Sequence, residues 1–169
     1  MTDNELKLKL EKVSQGDEKA FEEIYGDMKT PIMTVIFRIV QNRETAEDLL
    51  QEVFIKLYLS PPKDVAKPRA YIFKTAGNLA VDFLRAAKQT VSLEECDELM
   101  YANGSADTSE KLDIECALAK LDEKKRQIVT LHINAGFKFR EIAEILDIPL
   151  GTAIWRYNDA VKQLRSLLT

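Results

Sequence analysis

The clearest hydrophobic pattern in the chain lies in residues 46–58, AEDLLQEVFIKLY, where apolar residues recur at the spacing of an α-helix. The side of this predicted helix that should face a core carries Leu49, Leu50, Val53, Phe54, Leu57 and Tyr58. The opposite side carries Asp48, Gln51, Glu52 and Ile55. An amphipathic helix normally exposes polar residues on that side, so the isoleucine among carboxylates needs an explanation.

The same helical period recurs in two blocks of the chain, and no stretch alternates as a strand would. The first block predicts helices over 3–14, 17–29, 31–41, 45–59 and 68–88, with Asp17 and Thr45 as N-caps and Pro31 opening the third. The proline-rich stretch SPPKDVAKP predicts a loop before the last of these. The second block predicts helices over 109–121, 122–134, 138–146 and 149–168, so the fold class is all-α.

An acidic, turn-rich segment at residues 91–113, VSLEECDELMYANGSADTSEKLD, separates the two blocks and predicts a linker. It holds one lysine and seven acidic residues, so it carries more negative charge than the whole chain, whose net charge is −4. The overall acidity therefore does not exclude a nucleic-acid partner for the rest of the protein. We expect two separately folded helical domains, 1–90 and 114–169, whose relative placement depends on partners.

Composition excludes several classes of protein. No apolar run approaches the length of a membrane helix, which is about 20 residues, and the charged N-terminus lacks the apolar region of a secretory signal. Two cysteines and one histidine are too few for a disulfide framework or a metal site. His132 lies in an apolar helix, and no phosphate-binding loop or nucleophile–base pair is present. We predict a cytoplasmic protein that is not an enzyme and needs no cofactor.

Residues 139–165, FREIAEILDIPLGTAIWRYNDAVKQLR, have the layout of a helix-turn-helix. Such a unit places its second helix in the DNA major groove, although an ordinary helical hairpin has the same spacing. The inward side of the second helix is predicted to carry Leu150, Ala153, Ile154, Tyr157, Ala160, Val161, Leu164 and Leu168. The outward side carries Thr152, Trp155, Asp159, Lys162 and Ser166. Trp155 either contacts DNA or packs against the other block or a neighbouring chain.

Together the two blocks resemble the extracytoplasmic-function sigma factors of the sigma-70 family. The segments GDEKAFEEIY, AEDLLQEVFIKLY and KPRAYIFKTAGNLAVDFLR are similar to successive parts of region 2 of that family. The segment from ALAKLDEKKRQIV to the end of the helix-turn-helix is similar to region 4. The resemblance implies a promoter-specificity subunit. Region 2 would dock on the β′ clamp of core RNA polymerase and open the −10 element, and region 4 would sit on the β flap and read the −35 element. An anti-sigma factor is a further expected partner.

The resemblance also implies site residues. It assigns polymerase docking to Asp48, Gln51, Glu52 and Ile55, which would explain the exposed isoleucine. It assigns promoter DNA to two sets: Arg69, Tyr71, Lys74, Asn78, Arg85 and Lys88 on the last region 2 helix, and Thr152, Trp155, Arg156, Asn158 and Lys162 on the recognition helix. Tyr71 either stacks on an unpaired base or belongs to the core. The linker acids either occupy a basic polymerase channel or are simply solvated.

The chain also departs from the family pattern at its DNA contacts. Gly77 stands where members commonly have arginine, and Ile154, Asp159 and Val161 stand at or near usual basic positions. Each lost phosphate contact lowers affinity for DNA and flattens its salt dependence. The alternative function is therefore a degenerate sigma-like protein that binds an anti-sigma factor without reading promoters.

Overall fold

The computed structural model describes the backbone of residues 1–88 and 109–169 and the side chains of residues 1–87 and 113–169. Over these ranges the secondary structure is helical with no strand, which confirms the all-α prediction. The helices are α1 (Asp3–Ser14), α2 (Glu18–Val40), α3 (Arg43–Leu59), α4 (Pro68–Lys88), α5 (Ser109–Lys120), α6 (Glu123–Ile133), α7 (Phe139–Leu146) and α8 (Leu150–Leu168). None of the helices in these ranges is both long enough and apolar enough to span a membrane.

Side-chain caps set where the first three helices begin. Thr2 and Glu5 form a reciprocal capping box at α1, and the Asp17 carboxylate accepts from the Ala20 N–H at α2, as predicted. The prediction that Thr45 caps α3 is wrong. Asn42 is the cap, because its extended backbone lets its side-chain oxygen accept from the Thr45 N–H at 2.9 Å.

Helix α2 runs without interruption through Pro31, so the predicted division into 17–29 and 31–41 is wrong. A proline inside a helix removes one backbone hydrogen bond and crowds the preceding turn, at a cost of about 3 kcal/mol. The apolar stripe of α2 continues past that position, and Ile32 and Ile36 are completely buried. Burying each such side chain contributes about 1.5–3 kcal/mol, so tertiary packing outweighs the local preference for a break.

Helix α2 is the centre of the N-terminal block, where it contacts α1, α3 and α4. The predicted inward side of α3 packs on it, with Leu49, Leu50, Val53, Phe54 and Leu57 all buried. Tyr58 is the exception and is exposed, although its ring edge packs on Phe21 with centroids 5.0 Å apart. The opposite side of α3 therefore faces solvent in a fixed orientation.

The C-terminal block contains the predicted helix-turn-helix as α7 and α8. Asp147 ends α7 in the left-handed conformation, with φ of 53°, and the Ile148 N–H donates to the Ala143 carbonyl at 3.0 Å. The predicted inward stripe of α8 is narrower than expected, because only Ala153 and Ala160 are fully buried. Those small residues let α8 pack closely on its neighbours. The predicted inward residues Leu150, Ile154 and Leu168 are exposed.

The two blocks pack directly on each other, and the expectation that their relative placement depends on partners stays a prediction. A single buried apolar cluster includes residues of α1–α4 together with Ile128 and Leu131 of α6 and Ile142 of α7. The rings of Phe73 on α4 and Phe137 before α7 meet edge to face at 5.1 Å. The reason is that α2 and α4 each carry an apolar strip that the N-terminal block does not itself cover. Most of the predicted linker lies outside the described residues.

Candidate functional site

The outward side of α3 is exposed to solvent. Asp48, Gln51, Glu52 and Ile55 are all exposed, and 55% of the Ile55 surface is accessible. Glu52 forms an ion pair with Lys56 one turn away, at 3.4 Å, in a position where solvent screens most of the attraction. The arrangement is an apolar centre with a polar, mainly acidic rim. Such a surface suits contact with a basic protein partner better than contact with DNA.

Helix α4 presents a polar stripe to solvent. Tyr71, Lys74, Asn78 and Arg85 are spaced at helical intervals and all are exposed. Tyr71 is 43% exposed while its neighbours Ile72 and Phe73 are completely buried, so Tyr71 is not a core residue. Its ring is available to stack on a base. The side chain of Lys88, the last residue assigned to this stripe, lies outside the described residues.

Arg69, which the resemblance assigns to promoter DNA, does not share this exposed stripe and is half-buried. Its guanidinium lies 4.5 Å from the ring centroid of Phe137 and 5.2 Å from that of Phe73, and it donates to the Ala135 carbonyl. Arginine stacks on aromatic rings because the ring faces are electron-rich. Its charge is therefore directed at the C-terminal block rather than at solvent.

The outward face of α8 is largely free. Trp155 is 63% exposed, Asn158 and Lys162 are exposed, and Thr152 and Arg156 are half-buried. The alternative in which Trp155 packs against the other block is not the arrangement seen here. The face offers one large aromatic surface, amide and hydroxyl groups, and two cations, which can contact base edges and phosphates.

Asp159 was expected at the centre of this outward face, and that placement is wrong. Its carboxylate turns toward α6 and pairs with the Lys125 ammonium at 2.6 Å, and Asp122 lies 3.5 Å from the same ammonium. The hydrogen bond that the Lys125 ammonium donates to Asp159 is the main reason that the pKa of Lys125 is raised above its ordinary value. Lys125, a cation beside the recognition helix, is therefore held in an ion pair with Asp159.

The basic run at residues 124–126 has a role that the sequence reasoning missed. Lys124 is exposed on the wall of a groove that it shares with Trp155 and Arg156, so it adds a cation beside the recognition helix. Arg126 is buried instead, and burial lowers its pKa. It donates to the Ile39 carbonyl at the end of α2 at 2.9 Å. The run of three basic residues was the available signal for Lys124, but nothing in the run distinguishes the exposed Lys124 from the half-buried Lys125 and the buried Arg126.

The described residues contain no group of His, Cys, Asp and Glu side chains placed to hold a metal ion. His132 has structural contacts: its Nδ1 lies 2.8 Å from the Phe137 carbonyl oxygen, and its ring stacks on Phe139 at 4.4 Å. The three exposed surfaces described above are suited to binding protein and nucleic acid.

Comparison with known families assigns both blocks. The model of Sigma-70 region 2 matches residues 24–90, and the model of Sigma-70, region 4 matches residues 111–164. The chain is an extracytoplasmic-function sigma factor of the sigma-70 family. This sigma factor is similar to the ECF RNA polymerase sigma factor SigW of Bacillus subtilis, with 28% identity over 96% of this chain and 98% of that protein. It is also similar to the RNA polymerase sigma factor SigV of the same organism, with 30% identity over 85% of this chain and 87% of that protein.

Solved structures support the fold of this sigma factor. The sigma factor RpoE of Bartonella quintana, solved in complex with the anti-sigma factor NepR, aligns with a TM-score of 0.73 at 19% identity, covering 89% of this chain and 97% of that one. CnrH, solved in complex with the cytosolic domain of CnrY, aligns with a TM-score of 0.71 at 19% identity, covering 97% of both chains. As a sigma factor, the protein binds core RNA polymerase and directs it to specific promoters to initiate transcription.

Proposed function

We propose that the exposed side of α3, formed by Asp48, Gln51, Glu52 and Ile55, is the surface that docks on the β′ clamp of core polymerase. The observation that carries this proposal is the exposure of Ile55 on a helix whose opposite side is buried. An apolar contact contributes desolvated area, and the surrounding carboxylates complement basic residues of a partner. The surface is held rigid by the packing of α3 on α2, so docking requires no rearrangement of this helix.

The exposed stripe of α4 is the proposed contact with the −10 element. Lys74 and Arg85 can bind phosphates of a separated strand, and Asn78 can bind polar edges. Tyr71 can stack on a base that has left the duplex, which offsets part of the few kcal/mol needed to unstack it. The exposure of Tyr71 beside two buried neighbours supports this role.

Helix α8 is the proposed reader of the −35 element, with Trp155, Asn158 and Lys162 toward the groove and Thr152 and Arg156 at the edge. The position of α8 as the second helix of a helix-turn-helix supports this role. The C-terminal block that contains it would sit on the β flap. The proposed division of the chain is 1–90 for region 2, 91–113 for the acidic linker and 114–169 for region 4.

The proposed working environment is the cytoplasm, where core polymerase is found, and the protein acts by binding and has no catalytic activity of its own. An anti-sigma factor is a proposed regulatory partner, because the similar RpoE was solved with one. The test is to add the purified protein to sigma-free core polymerase and map the 5′ ends of the transcripts. Specific start sites are expected with the native chain and not with Ile55→Glu. Equal start sites with both would contradict the docking surface.

One observation favours the second candidate, a sigma-like protein that only binds an anti-sigma factor. Arg69 is held against the C-terminal block and Gly77 replaces a usual arginine, so α4 offers few free cations to DNA. The same transcription assay separates the two candidates. Core-dependent transcripts from specific sites exclude the second candidate. Their absence, together with stable binding of an anti-sigma factor, would favour it.

A further inference from the structure

The first turn of α4 has no capping side chain of its own. The helix begins at Pro68, which lacks a backbone N–H, and the residue before it is Lys67, whose ammonium cannot accept a hydrogen bond. The Tyr71 N–H donates to the Lys67 carbonyl at 3.1 Å and closes the first helical turn. The N–H of Arg69 lies within that turn and has no acceptor inside the helix, so its acceptor must come from elsewhere in the fold.

Asp3 of α1 supplies that acceptor. Its Oδ1 accepts a hydrogen bond from the Arg69 N–H at 3.0 Å, across 66 positions of the chain. The bond goes to the backbone of Arg69, so it does not depend on where the guanidinium of that residue is placed. A carboxylate is a stronger acceptor for an N–H than a neutral oxygen, and negative charge is favoured at this end of a helix.

The carboxylate of Asp3 is also held in place by α1. Asp3 is the first residue of α1 and is half-buried, and the reciprocal capping box of Thr2 and Glu5 fixes the turn in which it lies. Leu6 and Leu10, one and two turns further along, are buried and anchor α1 against α2 and α4. The match to Sigma-70 region 2 begins at residue 24, so α1 lies outside it and that match assigns no role to Asp3.

Tyr71 lies in the turn that this bond stabilises. Its ring is 43% exposed, and its neighbours Ile72 and Phe73, which are completely buried, anchor the helix on the C-terminal side. Without the bond from Asp3, the first turn should fray, as the end of a helix does when its N–H groups lose their acceptors. The exposed ring would then lose its fixed direction.

We propose that Asp3 is a positioning residue for promoter opening. Its carboxylate holds the first turn of α4 in helical form, so that the Tyr71 ring is already oriented when a base leaves the duplex. A ring that is ordered beforehand avoids the entropy cost of being ordered on binding, which favours the stacked complex. Asp3 acts through α4 and not by contact with DNA. This inference rests on the proposed role of α4 in binding the −10 element.

The test compares Asp3→Ala with Asp17→Ala in the full chain. Asp17 is a matched control, because its carboxylate accepts from the Ala20 N–H at 3.1 Å and so caps a different helix, α2. Each substitution removes one capping acceptor, so each should lower the midpoint of thermal unfolding by about 2–4 °C. Amide hydrogen exchange should then separate the two variants. Asp3→Ala should speed exchange at Arg69 roughly fivefold and leave Ala20 unchanged, and Asp17→Ala should do the reverse.

The functional measurement uses the full chain bound to core polymerase and a short fluorescein-labelled single strand of mixed sequence, because stacking on an aromatic ring tolerates any base. Asp3→Ala should bind this strand roughly two to five times more weakly than the native chain, and Asp17→Ala should bind it as the native chain does. Asp3→Asn should restore native affinity, because an amide oxygen can also accept from the Arg69 N–H. Tyr71→Ala, which removes the ring, should weaken binding at least as much as Asp3→Ala.

The direction of the change tests the role of Asp3 itself. Removing a carboxylate near DNA lowers repulsion, so if Asp3 acted only as a charge, Asp3→Ala and Asp3→Asn would both bind the strand more tightly. Weaker binding by Asp3→Ala that Asp3→Asn reverses is the result expected of positioning. Equal weakening by Asp3→Ala and Asp17→Ala would show a loss of stability alone and would overturn the proposal.

The remaining outcomes separate this inference from the proposed function. If Tyr71→Ala weakened binding and Asp3→Ala did not, the positioning role would be refuted, although the −10 role of α4 would stand. If Tyr71→Ala bound the strand as the native chain does, the −10 role of Tyr71 would fail, and the inference with it. Unchanged exchange at Arg69 in the Asp3→Ala variant would refute the capping bond without any reference to DNA.

Discussion

Replacing Ile55 with alanine removes three carbon groups from the centre of the proposed docking surface on α3. A fully buried carbon group contributes about 0.8 kcal/mol. The side chain is 55% exposed in the free protein, so docking can bury at most about that share, which gives about 1.3 kcal/mol. This corresponds to a dissociation constant about ninefold weaker for core polymerase. Ile55→Glu should weaken binding further, because it also places a carboxylate in a desolvated contact.

The assay is a titration of fluorescently labelled sigma factor with sigma-free core polymerase. Leu8→Glu is a suitable control, because Leu8 is a similarly exposed aliphatic residue on α1, outside the region 2 match. Both exposed substitutions should leave the free energy of unfolding within about 0.5 kcal/mol of the native value. If folded Ile55→Glu bound core polymerase as tightly as Leu8→Glu, the reasoning about the α3 surface would be refuted.

Three other predictions concern stability and DNA binding. Arg126→Ala should lower the free energy of unfolding, measured by urea denaturation, by about 3 kcal/mol. The reason is that three carbonyls lose a hydrogen bond from a buried donor, and each bond contributes about 1 kcal/mol. Arg126→Met should lower the free energy of unfolding by less. Asp159→Asn removes the shorter of the two ion pairs of Lys125 and leaves the one with Asp122, so duplex affinity should rise and its logarithmic salt slope should steepen by up to about one unit; an unchanged slope would show that Lys125 does not reach a phosphate. The hydrogen bond from Lys9 lowers the pKa of Glu23 below 4.5, so its stabilisation is present above that pH and is lost as pH falls through the folded-state pKa. Glu23→Gln should therefore flatten the acid side of a stability–pH curve.

The faces of α3 could be predicted because its apolar spacing is regular and one isolated apolar residue breaks its polar side. The break at Pro31 was wrong because a local preference was weighed without the burial of Ile32 and Ile36, which only the folded chain supplies. The cap at Asn42 could have been found from the sequence, since asparagine is among the best N-caps. The family resemblance was confirmed by its two region matches.

The contact between the blocks could not be predicted from periodicity. A helical period shows that Ile72 and Phe73 face something apolar, but not which element covers them. Arg69 and Arg126 likewise each donate to a carbonyl more than 60 residues away in the chain, that of Ala135 and that of Ile39. Long-range pairings of this kind depend on how the two blocks pack. The roles assigned to the exposed polymerase- and DNA-binding residues stay predictions.

The shared core also has a consequence for synthesis on the ribosome. The apolar strip of α4, with Ile72, Phe73 and Ala76, is made well before α7, which helps to cover it. At about 5–20 residues per second, the roughly 60 intervening residues take about 3–12 s to translate. During that interval the nascent region 2 presents an uncovered hydrophobic strip to the cell. A chain interrupted after α4 keeps the strip exposed, so such fragments should aggregate or become substrates for chaperones and proteases.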